Sequence, residues 1–193
     1  MKYSYAKIRK EVYKISKTAC FSRKNVFKSE TWDFHILPVV ELSLELGRKL
    51  GADREVLELA ALLHDHASVS DLKLYKNHHI HGAREAGEIL KKLNFPDEKI
   101  KQVQKCIKNH RGSVKSKRTT IEEKILASAD AMSHFTNLAD MFYLTFHIHQ
   151  YRTREGALWL KRKLARSWKK IMPEGREMIK NDRAVAFKIL NKF

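Results

Sequence analysis

Cysteine, proline, glycine and long apolar runs are all scarce in this sequence. Its two cysteines, Cys20 and Cys106, are too few for a disulfide framework. Seven glycines and three prolines in 193 residues argue against collagen-like and loop-dominated architectures. No apolar stretch approaches the ~20 residues needed to span a bilayer. The N-terminal MKYSYAKIRKEVYKISK also lacks the apolar stretch of a secretory signal. A cytoplasmic protein without a transmembrane segment is the expectation. At 43% hydrophobic residues the chain can bury a sizeable core, which speaks against global disorder, and its length fits a single domain over 1–193.

Acidic residues are in short supply at the two ends. Thirty-nine Lys and Arg stand against 22 Asp and Glu, a formal net charge of +17. Residues 1–30 carry net +7, residues 31–140 only +1, and residues 141–193 net +9. A nearly neutral centre thus lies between two basic flanks. Such flanks suit phosphate-bearing partners, since neutralised phosphates release counterions. A generally lysine-rich composition produces the same numbers.

The apolar pattern has helical periodicity nearly throughout, and nothing reads as a strand pair, so the expected class is all-α. His35, Val39, Leu42 and Leu46 share one face. Pro38 either kinks that helix or makes His35 precede it. Gly51 is a stop signal and Asp53 a cap for a helix over about 54–65. The polar segment SVSDLKLYKNHH follows, then a helix over about 80–93 ending at Asn94. Pro96 opens the next, with Asp97 and Glu98 in its first turn and an apolar stripe of Ile100, Val103 and Ile107 that runs on to His110. Residues 111–118 form a basic loop, after which Thr120 and Glu123 make a capping box. In the tail, Ala157, Leu160, Leu164 and Trp168 form an apolar face. Lys161, Arg162, Lys163, Arg166, Lys169 and Lys170 crowd the remaining surface.

The chemistry lies where polar ligand-type residues interrupt apolar stripes. Five segments deliver His35, the pair His64-Asp65, His78 or a neighbour, His110 and Asp130. Burying such groups without partners costs several kcal/mol each, and buried carboxylates want a cation. A divalent metal satisfies them together, and imidazole with carboxylate suits Mn, Fe, Zn, Ni or Co rather than Ca. A lone histidine on an apolar face is ordinarily a hydrogen-bonded core residue. The adjacent His-Asp pair at a helix end sets this group apart.

The string LELAALLHD, a histidine 29 residues upstream of His64, and Asp130 within ILASADA resemble the HD superfamily of metal-dependent phosphohydrolases over about residues 30–136. The resemblance implies an HD-domain helical bundle over that core, with a basic N-terminal helical extension (1–29) and a C-terminal one (137–193). By the same resemblance His35, His64, Asp65 and Asp130 bind one divalent ion. An H-x-x-x-G-A segment at His78 and a histidine ending the next helix, His110, are similar to HD families that hold a second ion. Asp65 would then bridge the two, with His79 and His81 as substitutes for His78. The implied cofactor is one or two ions of Mn, Fe, Zn, Ni, Co or Mg. The chain lacks the G-Y-P motif of HD-GYP phosphodiesterases and has Arg111 where that pattern has a histidine, which counts against cyclic dinucleotides as substrates.

The expected reaction is hydrolysis of a phosphate ester or anhydride on a small phosphorylated, nucleotide-like substrate. Asp65 would orient the attacking water and accept its proton. Arg111, Lys115, Lys117 and Arg118 are candidates to neutralise phosphate charge, and His66 to meet substrate. Three alternatives stand beside this one. The basic flanks, with Tyr143, Phe146, Tyr151, Trp159 and Trp168 interleaved, suit nucleic acid, although core packing accounts for Trp159 and Trp168 more simply. The basic amphipathic helix near 157–171 also suits a membrane surface. HD-like domains further include metal-binding sensors without catalysis. The aromatic stretch 142–151 suits burial in the monomer or in a homodimer.

Overall fold

A computed structural model describes residues 3–112 and 117–193. Among these there is no strand; the chain is a bundle of helices. Helix α1 (Tyr5–Cys20) lies across α3 (Arg54–Leu63) and the short α4 (His66–Ser70). Helix α2 (Leu37–Leu50) follows a π-helical segment, Trp32–Ile36, without a break, and Pro38, which can donate no backbone hydrogen bond, sits at their junction. Helix α2 ends at Gly51, whose φ of 68° is the left-handed conformation that glycine adopts at low cost. Asp53 then caps α3 by accepting from the Glu55 and Val56 amides.

Helix α3 is the axis of the bundle, in contact with α1, α2, α5 (His78–Lys92), α6 (Asp97–Asn109) and α7 (Ile121–Thr136). Every residue from Val56 to Leu63 is buried. A helix apolar on all sides is stable only with neighbours all round. Its one buried charge, Glu58, is met by Tyr5 and Arg9 of α1, which tie that helix down. Helices α2 and α3 approach closely at Gly47, where a Cβ would strike the Leu57 side chain.

Helix α7 starts at the expected Thr120–Glu123 capping box and carries the second half of the core. After α8 (Leu138–Phe142) and a second π-helical segment, Tyr143–Ile148, the basic helix α9 (Thr153–Lys170) packs on α7. Its Ala157, Leu160 and Leu164 join Leu46, Ile125, Met132 and Phe135 in one apolar cluster, closed by α10 (Pro173–Met178) and α11 (Lys180–Leu190). The expected helix over 54–65 stops at Leu63. His64 and Asp65 occupy the break before α4, and a 3-10 turn, Leu72–Asn77, fills much of the segment read as merely polar.

Candidate metal centre

The break between α3 and α4 brings Asp65 to the wall of a cavity and leaves His64 fully buried beside it. The π-helical segment brings His35 there, the starts of α4 and α5 bring Asp65 and His78, the end of α6 brings His110, and the middle of α7 brings Asp130 and His134. Two groups result. His35, His64 and Asp130 offer ligand atoms within 4.8 Å of one another, and so do Asp65, His78 and His110. Asp65 stands between them. Its Oδ2 is 3.3 Å from His35 Nε2 and its Oδ1 3.2 Å from His78 Nε2.

Local hydrogen bonds decide which ring nitrogens face inward. His64, His78 and His110 each place Nδ1 within 2.6–2.7 Å of a backbone carbonyl three residues earlier, those of Ala61, Tyr75 and Ile107. A carbonyl only accepts, so each Nδ1 carries a proton and each Nε2 is the atom turned toward the other ligand-type side chains. Ser133 gives its proton to the Asp130 carbonyl and accepts from His35 Nδ1 at 3.3 Å. The consequence is electrostatic. His35 Nε2 and His64 Nε2 face each other at 3.1 Å, and His78 Nε2 and His110 Nε2 at 3.3 Å. Lone pairs at that separation repel unless a cation lies between them. Asp65 Oδ1 is buried and makes no hydrogen bond. Neutral imidazole and carboxylate oxygen are the donor set of Mn, Fe, Zn, Ni and Co, and the carbonyl latches are the outer supports that ligating histidines ordinarily have. The residues fit a divalent metal.

The titration behaviour agrees. Burial acts to raise the Asp65 carboxyl, but His64, His78 and His35 hold it well below the usual carboxylate range. Burial likewise raises Asp130, yet Lys170, His134, His110 and His35 outweigh it. Burial drives His110 down to about 3. His35 behaves oppositely: burial pulls it down, while Asp65, Asp140 and Asp130 carry it up to about 9. The cluster demands positive charge, and a proton on His35 is what it takes in the absence of metal.

Of the HHIH string, His78 reaches the cavity cluster. His79 is buried with its Nδ1 unpartnered, and His81 is half-buried; neither lines the cavity. His66 points away, lining a shallow hollow against α1 with Glu11 and Lys14. Arg111 lines the cavity and donates to the Lys76 carbonyl. Arg118 is spent on the backbone: its Nε donates to the Asn109 carbonyl at 2.8 Å, and its guanidinium also meets the carbonyls of His110 and Arg111. Lys117 is exposed and outside the cavity lining, and Lys115 lies outside the described residues.

Sequence reasoning missed a whole wall. Lys163, Arg166, Ser167 and Lys170 of α9 line the cavity, as do Asp140 and Trp159. Lys170 Nζ is 2.5 Å from Asp130 Oδ2 and donates to the His110 carbonyl at 3.1 Å. His134, one turn after Asp130, stacks parallel to His35 and bonds Ser167 Oγ at 2.9 Å. The available signal was spacing: residues 159, 163, 166 and 170 fall on one face of α9.

The HD domain family model matches residues 33–134. Over nearly the whole chain the fold is similar to the Lin1889 protein of Listeria innocua, with a TM-score of 0.72, 19% identity, and coverage of 98% of this chain and 94% of that one. It is also similar to a predicted HD superfamily hydrolase from an uncultured Thermotogales bacterium, with a TM-score of 0.58, 21% identity, and coverage of 81% and 84%. No curated protein matches the chain. The two structural likenesses establish the architecture alone. The family model reaches further: it spans more than half of the sequence, and all six side chains of the two opposed groups fall inside it, so this protein belongs to the HD domain family.

Proposed function

We propose that the protein is a metal-dependent phosphohydrolase acting on a small, nucleotide-like phosphate ester or anhydride. The observation that carries this reading is the convergence of four Nε2 atoms, those of His35, His64, His78 and His110, in two close pairs on either side of Asp65. His35, His64, Asp65 and Asp130 would hold one divalent ion, and Asp65, His78 and His110 a second. Ions held there supply Lewis-acid activation of water and of a phosphoryl oxygen. Asp65, with Oδ1 free of hydrogen bonds, orients the attacking water and takes its proton. The lowered carboxyl keeps Asp65 ionised, as a metal ligand must be. Arg111, anchored to the Lys76 carbonyl at the cavity wall, offsets charge on the phosphate.

A small substrate is supported over a nucleic acid because Lys163, Arg166 and Lys170 of α9 line a cavity of about 270 Å³ together with the His and Asp cluster. The same packing supports one functional unit over 1–193, since α9 forms a wall of the cavity whose ligand-type residues lie within 33–134. Among the described residues no helix is long and apolar enough to cross a membrane. The test is product release from phosphomonoesters, nucleotides, dinucleoside polyphosphates and short single-stranded DNA and RNA with added Mn(II) or Fe(II). Turnover confined to one small-molecule class and lost in Asp65→Ala supports the reading. Cleavage of the oligonucleotides alone, or silence in metal-loaded protein, overturns it.

A further inference from the structure

Helix α9 carries charge that the fold itself does not use. Lys170 is neutralised by Asp130, but Lys163 makes no hydrogen bond and no ion pair among the described residues although it lines the cavity. Burial, reinforced by Lys170 and Arg166, brings its ammonium down to about 8 against the pull of Asp130. An amine held there without a partner is a cost to the fold, and an incoming anion relieves it. Arg166, one turn on, stands exposed at the rim of the same cavity.

The order of these residues along the helix has a direction. Lys170 touches the metal cluster through Asp130, Arg166 and Lys163 come next, and Trp159 stands farthest out. At 1.5 Å per residue the face from 170 to 159 measures about 16 Å. Trp159 is held edge-on by His149, with ring centroids 5.0 Å apart, and also meets Tyr151. Its helix is pressed onto the second π-helical segment at Gly156, where a Cβ would strike Phe146 and come within 2.9 Å of Thr145. The indole is therefore a fixed aromatic surface at the outer end of a cationic strip. Tyr143 lines the cavity as well.

We infer that α9 is the substrate-reading element, and that it selects a nucleotide bearing at least two phosphoryl groups. The terminal phosphoryl lies at the metal cluster, the next is held by Lys163 and Arg166, and the base lies on Trp159. This rests on the phosphohydrolase reading and names the substrate class of that site. Lys163 and Arg166 are positioning residues, and Trp159 determines preference for a planar base over a bare phosphate chain.

Calorimetric titration of Mn(II)-supplemented protein tests the assignment, using the non-hydrolysable α,β-methylene-ADP, AMP and methylenebisphosphonate as probes. The expected order is α,β-methylene-ADP tighter than AMP. Lys163→Gln weakens α,β-methylene-ADP by about tenfold to a hundredfold, the usual loss for a hydrogen bond to a charged group. Lys163→Arg keeps the charge and restores most of the affinity, which separates anchoring from misfolding. Trp159→Leu weakens both nucleotides and leaves methylenebisphosphonate unchanged. Equal affinity for α,β-methylene-ADP and AMP, unaltered binding in Lys163→Gln, or no nucleotide binding by the wild type overturns the assignment. Tight, Lys163-dependent binding without turnover of any phosphate ester sinks the hydrolase reading and leaves the anchor standing. Turnover of p-nitrophenyl phosphate without nucleotide binding does the reverse.

Discussion

Lys170→Met isolates the charge balance of the centre. Lys170 and Asp130 side chains are only 7% and 11% exposed, and their atoms meet at 2.5 Å. Methionine fills similar space without the ammonium, leaving the Asp130 carboxylate without the cation that touches it. Removing one partner of a buried pair costs about 3–5 kcal/mol. For a chain of this length, 3 kcal/mol lowers Tm by about 6–12 °C. The loss is conditional, because a divalent ion bound by His35, His64 and Asp130 returns positive charge to the same carboxylate. Metal binding stabilises by RT ln(1 + M/Kd), with M the free ion concentration, so a site that binds the ion more tightly gains more at a given concentration. The variant should therefore gain more Tm on adding Mn(II) than the wild type does. The assay is thermal unfolding followed by circular dichroism, with EDTA and then with graded Mn(II). A variant whose Tm in EDTA falls within 2 °C of wild type, or whose metal-induced gain is no larger, refutes the reasoning.

Asp65→Ala removes the carboxylate that stands between the two ligand groups, so bound metal measured by inductively coupled plasma mass spectrometry should fall to background; unchanged content would disprove the bridging assignment. Lys163 titrates at about 8 in the folded chain against 10.5 unfolded. The unfolded state then binds more protons between those values, so this group's contribution to stability rises as pH climbs from about 8 to 10.5. Lys163→Met should accordingly be more stable than wild type at pH 7, with the difference shrinking by pH 10; a constant difference in denaturant midpoint across that range would contradict this. Gly47→Ala should cost about 1–3 kcal/mol through its clash with Leu57, and adding Leu57→Ala should give less than the summed loss, as read by urea unfolding. Glu58→Ala should free α1 from α3, seen as faster amide exchange across Tyr5–Cys20.

Much of this was legible because local physics and tertiary packing agree. The Gly51 stop, the Asp53 cap and the Thr120–Glu123 box are satisfied by nearby backbone, so residue type announces them. The His and Asp positions were legible because polar groups on apolar stripes need a reason. What stayed hidden has reasons too. Lys163, Arg166 and Lys170 read as solvated surface, since lysine usually is, and nothing within α9 says which neighbour covers that face. His134 passed unnoticed because its partner is a serine 33 residues away. Pro38 signalled a change of geometry near His35, but not that it would be π-helical. Arg118 was a phosphate candidate by charge, whereas its donors close the carbonyls left open at the end of α6.

The π-helical turn at Trp32–Ile36 bears on how sequences of this kind should be compared. Such a turn holds one residue more than the α-helix it interrupts, and the Leu37 amide bonds back five residues to Trp32. Deleting a single residue there removes that extra residue, while Pro38, which has no N–H to give, still leaves the junction one helical hydrogen bond short. The deletion also rotates everything before it by about 100° relative to α2, carrying His35 off the cavity. A one-residue gap at this point in a homologous chain therefore marks the loss of a ligand position more decisively than any substitution nearby, even where the histidine itself is still present.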